Sequence, residues 1–344
     1  VAYLMKIINR EYIQAMKTNS RLPFPYLVQL EITNVCPFHC PQCYKETTPN
    51  CHMNFEKLKD FVIQCYDNGT KLFVLNGGEP MLYYRINELL LFMNTLDIHM
   101  NCFTSGYGLT NDIIDLWNFD SHKLCLSLNG STEEINRLTR QGYDITITAM
   151  KKLSELKKYY GINWVARHDN LTDFRNVLNL CEKYSVGFLF ITSEKLTGTG
   201  KLMSPLTKDD YIVLSKIIEN YSGNIEIIIE SCFSTLDILL NKSNKFNYFM
   251  GCFAGKYGCH VDMNFSFSPC THLAYYEKFS SLSDYWNNSI MLQQLNTDNK
   301  SDHCYYCQYH ANCNPCKAWD ERMYQNFSQD YISCPIFISN SEVK

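Results

Sequence analysis

The chain has 344 residues, 46% apolar and 19% charged, with a formal net charge of −4. That balance supports a sizeable buried core, excludes wholesale disorder and gives no general electrostatic footprint for nucleic acid. No run of about 18 apolar residues occurs, so no membrane association is expected, and no secretory signal is read at the start. Cysteine is the outlier, at 17 residues. Without a secretory signal, so many thiols predict metal ligation in a reducing cytoplasm, with a secreted disulfide protein as the alternative.

In chain order, a short polar helix is expected over residues 3–18, ending before the Pro23 to Pro25 segment. Strand-like runs follow at 26–34, 71–76, 99–104, 123–129, 163–167, 187–192 and 224–230. Amphipathic helix patterns lie between them at 54–67, 86–96, 149–160, 171–184 and 208–221. The alternation implies right-handed βαβ units and a parallel sheet or partial barrel, with chemistry at the carboxyl ends of its strands. The pattern stops near residue 232. Eight cysteines and little periodicity follow, so residues 245–344 read as a metal-stapled domain after a lead-in at 1–25 and a barrel at 26–244.

Directly after the first strand stands Cys36-Pro37-Phe38-His39-Cys40-Pro41-Gln42-Cys43. Three thiolates on one tight loop suit three irons of a cubane cluster and leave the fourth iron open to a chelator. A structural zinc site closes its shell with a fourth ligand, and His39 is the only candidate between them.

Together with Gly77-Gly78-Glu79-Pro80 after the second strand, this loop resembles the radical S-adenosylmethionine (radical SAM) superfamily. The resemblance implies that the open iron binds the amino and carboxylate groups of S-adenosylmethionine and that the glycine stretch meets its amino group. Two glycines let backbone carbonyls approach an ammonium, and Glu79 adds charge. Thr104-Ser105-Gly106 and Ser127-Leu128-Asn129-Gly130 resemble later strand ends of the family, which implies that Ser127 lies near the ribose with Asn129 beside it. Gln42 stands where the family usually has an aromatic residue or His.

The remaining array is Cys252, Cys259 and Cys270, then Cys304, Cys307, Cys313 and Cys316, then Cys334. By spacing alone it suits two zinc ribbons or two four-thiolate iron–sulfur clusters. It resembles the SPASM extension of peptide-modifying radical SAM enzymes such as sulfatase maturases. That resemblance implies a first auxiliary cluster on Cys252, Cys259, Cys270 and Cys316 and a second on Cys304, Cys307, Cys313 and Cys334. The expected fold is thus a partial parallel (β/α)6-type TIM barrel with a C-terminal cysteine-rich SPASM domain, holding three 4Fe-4S clusters. Near the third ligand, the Asn264 region replaces a usual glycine and is expected to hold a turn of positive φ.

The implied activity is maturation of a ribosomally made precursor peptide. A 5′-deoxyadenosyl radical would abstract hydrogen, leading to a cross-link or an oxidation. Formylglycine formation, as in sulfatase maturases, needs a base after the third ligand of the first auxiliary cluster. Here Thr271 holds that position, and His272 is the candidate. An epimerase needs a thiol hydrogen donor, for which Cys232 after the last strand is the candidate. A zinc-binding interaction protein is the alternative outside enzymes. Cys51, Cys65, Cys102, Cys125 and Cys181 are left without a role, the last four as small buried hydrophobes. The expected partners are the precursor peptide, an electron donor such as a flavodoxin or ferredoxin, and a separate leader-binding protein. With only a short stretch before the first strand, leader recognition is expected either at the barrel mouth or in that separate protein.

Overall fold

The computed structural model describes residues 14–15, 20–45, 50–195, 204–241, 251–273, 275–296, 306–307, 309, 313–314 and 316–318. The helix expected over 3–18 lies outside these residues except at Gln14 and Ala15, which are helical, and Cys304 and Cys334 also lie outside them.

Seven strands form on the seven expected runs: β1 (Leu27–Thr33), β2 (Leu72–Gly77), β3 (His99–Thr104), β4 (Lys123–Ser127), β5 (Gly161–Ala166), β6 (Phe188–Ser193) and β7 (Glu226–Ile229). All pair in parallel with their sequence neighbours. A parallel sheet has both faces covered, which is why these strands read as near-continuous apolar runs; β4 is buried at every position. Helices cover the outer face: α1 (Phe55–Asp67), α2 (Ile86–Met93), α3 (Asn111–Leu116), α4 (Glu133–Arg137), α5 (Tyr143–Glu155), α6 (Phe174–Lys183), α7 (Lys208–Glu219) and α8 (Ser234–Asn241). Several start where a side chain satisfies an open amide. Asn54, Thr110, Thr132 and Thr207 each accept from a first-turn N–H, a cap of about 1 kcal/mol apiece. Among the described residues no helix is long and apolar enough to cross a membrane.

Two differences from the sequence pattern matter. The helix expected over 149–160 begins earlier, at Tyr143. Ile145-Thr146-Ile147-Thr148 is a β-branched run, and such residues favour strands locally; burial of Thr146, Ala149, Met150 and Leu153 on one face overrides that preference.

The second difference is larger: the sheet does not stop near residue 232. A further strand, β8 (Gly258–Val261), lies parallel to β1 with Leu27 opposite Gly258 and Val28 opposite Cys259. Antiparallel β9 (Phe267–Ser268) follows it, giving the order β7-β6-β5-β4-β3-β2-β1-β8-β9. The result is an open partial barrel whose β1 edge is closed by the cysteine-rich segment. In the turn after β8, the Asp262 carboxylate accepts from the amides of Asn264 and Ser266 at 2.9 and 2.7 Å. The positive φ falls on Phe265 (58°), not Asn264, and Phe265 is held there by edge contact with Phe61 at 5.8 Å. Helices α9 (Leu282–Asn288) and α10 (Ile290–Asn296) complete the segment. The Trp286 indole donates to Leu22 O at 2.9 Å under the Arg21 guanidinium.

Candidate active site and thiolate clusters

The cysteine loop leaves the carboxyl end of β1, where the pairing with β2 slips between Glu31 and Thr33. Such an irregularity re-aims the chain beyond it. Two amides of the Gly77-Gly78-Glu79 turn fasten the loop: Gly78 N donates to Thr33 O at 2.7 Å and Glu79 N to Val35 O at 2.8 Å. The approach is close enough to require glycine. A Cβ on Gly77 would lie 2.2 Å from Thr33 O, and one on Gly78 would lie 2.5 Å from Val35 O. From the other side the segment after α4 grips the loop. Gln42 N donates to Thr139 O at 3.2 Å, His39 N to the Gln141 side chain at 2.9 Å, and Gln141 N to Cys40 Sγ at 3.4 Å. Cys36, Cys40 and Cys43 are half-exposed. Burial, then the nearby Glu79 carboxyl and its fellow thiols, pushes the Cys36 thiol up to about 11. Binding a metal therefore has to displace its proton.

Glu79 does not turn its charge to the open cavity alone. Its buried carboxylate accepts from Thr104 Oγ1 and Ser105 Oγ at 2.5 Å each, from Ser105 N at 2.8 Å and from Met81 N at 3.2 Å. It thereby binds the β2 and β3 ends together. Ser127 is buried and lines the cavity. Asn129 is committed to structure. Its amide donates to Thr139 Oγ1 at 2.9 Å and accepts from Val165 N at 3.1 Å, and its carbonyl accepts from Trp164 Nε1 at 3.2 Å. Pro80 begins a short buried 3-10 turn.

Above the strand ends lies a cavity of about 1130 Å³, lined by the cysteine loop, Gly77–Glu79, Ser127 and inward residues of β1, β4, β6 and β7. Arg140 and Gln42 face it, and Arg140 Nε and Gln42 Oε1 are buried with no hydrogen-bond partner among the described residues. Sequence reasoning missed Arg140, which has no motif around it. On the far wall Lys195 pairs with Glu230 at 2.8 Å. Thr271 Oγ1 donates to the Gln29 side chain at 2.6 Å. His272 packs edge-on against Tyr44 at 5.2 Å; burial, with Lys195 and His260, pulls its imidazole down to about 3.

The C-terminal cysteines divide. Cys252, Cys270 and Cys316 are buried in one small cluster with Ala254, Leu273, Leu295 and Ala318, and Cys232 is in it too. Cys259 is in the main core instead, away from that group. Cys307 and Cys313 are half-exposed. Cys65, Cys102, Cys125 and Cys181 are buried, as small hydrophobes would be, and Cys51 is exposed. Among the described residues no three metal-binding side chains close tightly around one point, the Cys36–Cys43 loop included.

Residues 30–181 match the Radical SAM superfamily. The chain is 19% identical over 321 residues to the AdoMet-dependent heme synthase of Oleidesulfovibrio alaskensis, covering 85% of this chain and 82% of that protein. It aligns with Streptococcus suis SuiB bound to S-adenosylmethionine at a TM-score of 0.76 and 19% identity, over 94% of this chain and 80% of that one. SuiB is also known bound to precursor peptide SuiA. A TM-score of 0.69 at 15% identity relates the chain to anSMEcpe with bound AdoMet, over 93% of this chain and 91% of that one. The protein anSMEcpe is also known with the Cp18Cys peptide.

Proposed function

We propose that this chain, a radical SAM superfamily enzyme, binds a 4Fe-4S cluster at Cys36, Cys40 and Cys43 together with S-adenosylmethionine, and modifies a peptide. The observation that carries the reading is the seam between the two motifs. The Gly78 and Glu79 amides are bonded into the backbone beside the cysteine loop, so the cysteine loop and the glycine turn line one cavity. Cluster and cofactor, once bound, supply a 5′-deoxyadenosyl radical that removes a hydrogen atom from substrate.

The protein's own groups bind and orient. Gly77 and Gly78 leave room at the ammonium, and Arg140, with an unspent donor, matches the carboxylate. Ser127 stands for the ribose. Gln42 offers a buried amide oxygen to a ring amine where stacking is absent. The peptide reading is supported by a cavity of about 1130 Å³, larger than a cofactor alone fills, and by the peptides bound to SuiB and anSMEcpe. The C-terminal cysteines are auxiliary cluster ligands in this reading and accept or relay an electron from the substrate radical, while a flavodoxin or ferredoxin serves as the electron donor and the barrel mouth or a separate protein receives the leader.

The test is anaerobic turnover with dithionite and S-adenosylmethionine, reading 5′-deoxyadenosine, then mass spectrometry of a peptide encoded beside the gene. Loss of two hydrogens marks a cross-link or oxidation; unchanged mass with deuterium gained from heavy water marks epimerisation. Absence of 5′-deoxyadenosine from iron-loaded enzyme would sink the reading. The likeness to a heme synthase over 82% of that protein favours a second reading, in which the same cavity takes a tetrapyrrole. Heme formation, with the peptide untouched, would select it.

A further inference from the structure

We propose that Cys232, in place of Cys259, completes the four-thiolate set of the first auxiliary cluster with Cys252, Cys270 and Cys316. This rests on reading the C-terminal cysteines as iron–sulfur ligands.

The register of β8 removes Cys259. Parallel neighbours at the same level point to the same face of a sheet. Cys259 is level with Val28 and His260 with Gln29. Gln29 lines the cavity and holds Thr271, so its face is the inner one. Val28 is fully buried on the opposite face, beneath the helices. Cys259 shares that outer side, in the same core as Cys65 of α1. A one-residue slip of β8 would be needed to turn it inward.

Cys232 arrives from the other direction. It sits in the 3-10 turn Ser231–Phe233 at the carboxyl end of β7. Phe233 N donates to Glu230 O at 2.8 Å, and the Phe233 ring meets Tyr211 of α7 at 5.6 Å. One backbone and one side-chain bond bring the two C-terminal ligands to the same place: Cys252 N donates to Asn314 O at 2.7 Å and Asn314 Nδ2 to Cys252 O at 2.8 Å. The Cys232 thiol lies within hydrogen-bonding reach of both the Cys252 and the Cys316 thiols.

The surroundings suit a buried anionic cluster. Cys252 accepts from the backbone amides of Lys317 and Ala254. Cys270 accepts from the amides of His272 and Leu273. Buried thiolate clusters need compensating charge and N–H donors to sulfur. Lys317, interacting with Cys252, provides charge, and Lys195, interacting with Cys316 and Cys232, adds to it while paired with Glu230. A thiolate held by iron is not a hydrogen donor, so this assignment takes Cys232 away from the epimerase mechanism.

The test starts from a chain in which Cys36, Cys40 and Cys43 are Ala, so that all iron belongs to the auxiliary sites. Cys232→Ser and Cys259→Ser are added separately, and each protein is reconstituted anaerobically. Iron, labile sulfide and the EPR spectrum after mild oxidation are read beside circular dichroism. Cys259→Ser is expected to match its parent. Cys232→Ser, left with three thiolates, is expected to lose about one to four irons and to give a three-iron signal on oxidation. The reverse pattern overturns the assignment. If both variants lose iron, Cys232→Asp decides: a carboxylate that restores the count supports ligation, and failure to restore it overturns ligation. A parent chain that binds no iron refutes the auxiliary-cluster reading itself, and this inference with it.

Discussion

Gly78 carries the sharpest single-residue expectation. Its added Cβ would meet Val35 O at 2.5 Å and Asn34 O at 2.6 Å, both backbone atoms of the cysteine loop. Gly78→Ala must therefore shift the loop rather than a side chain, and displacements near 1 Å at a reacting centre cost about 100-fold. Formation of 5′-deoxyadenosine should fall by at least that factor while the chain stays folded; wild-type turnover would remove the seam from the mechanism. Glu79→Gln tests the neighbouring clamp. All four contacts to that carboxylate come from donors, and an amide NH2 turned toward them leaves a buried donor unpaired, costing about 1–3 kcal/mol. A lowered denaturation midpoint checks it. These residues were legible because tight spacing on one loop encodes their geometry. Asn129 was legible only as a strand end, since nothing local reveals that Thr139, Trp164 and Val165 converge on it. Cys232 was legible as a thiol at a strand end, but not its burial beside Cys252 and Cys316, because those two are distant in sequence.

Helix α8 carries a pH dependence. Asp237 lies on it, buried beside the cavity, and burial raises its carboxyl to about 7. The unfolded value is about 3.9. With the folded value raised, the unfolded state loses its proton first as pH climbs, so the native state is progressively destabilised between about 4 and 7. From pH 6 to 8 the loss from this group alone is about 1.4 kcal/mol, one unit of linkage. Asp237→Asn should flatten that slope and melt higher than wild type at pH 8, measured anaerobically on the cluster-loaded protein. Equal slopes in both proteins would show that the Asp237 carboxyl does not titrate this way. At this scale the sequence revealed seven strands through their apolar runs. It concealed β8, because Gly258–Val261 is only four residues long and contains Cys and His. It also shifted the start of α5, where β-branched residues speak for a strand and tertiary burial decides for a helix.

Across the whole molecule, β8 makes the cysteine-rich segment part of the barrel rather than a removable appendage. The edge of β1 that β8 covers includes Val28 and Leu30, both fully buried. Without β8 that edge presents unpaired amides and carbonyls beside apolar side chains, a template for aggregation. The N-terminal lead-in would lose its partners too, since Leu22 N donates to Lys256 O at 2.8 Å and the Trp286 indole to Leu22 O at 2.9 Å. A chain ending at residue 244, the boundary drawn from periodicity, should therefore be insoluble, whereas one carried through β9 and α9 should keep the sheet. Stripping metal from the full chain is a different perturbation. The ladder between β1 and β8 contains no cluster ligand if Cys232 replaces Cys259, so iron removal should spare the parallel sheet while loosening the thiolate-bearing turns. Hydrogen exchange separates the two cases: after chelation, amides of β1 to β6 should stay protected and those around Cys252 and Cys316 should exchange at least about 10-fold faster. Loss of protection in β1 on chelation alone would mean that metal, not strand pairing, holds the segment against the barrel.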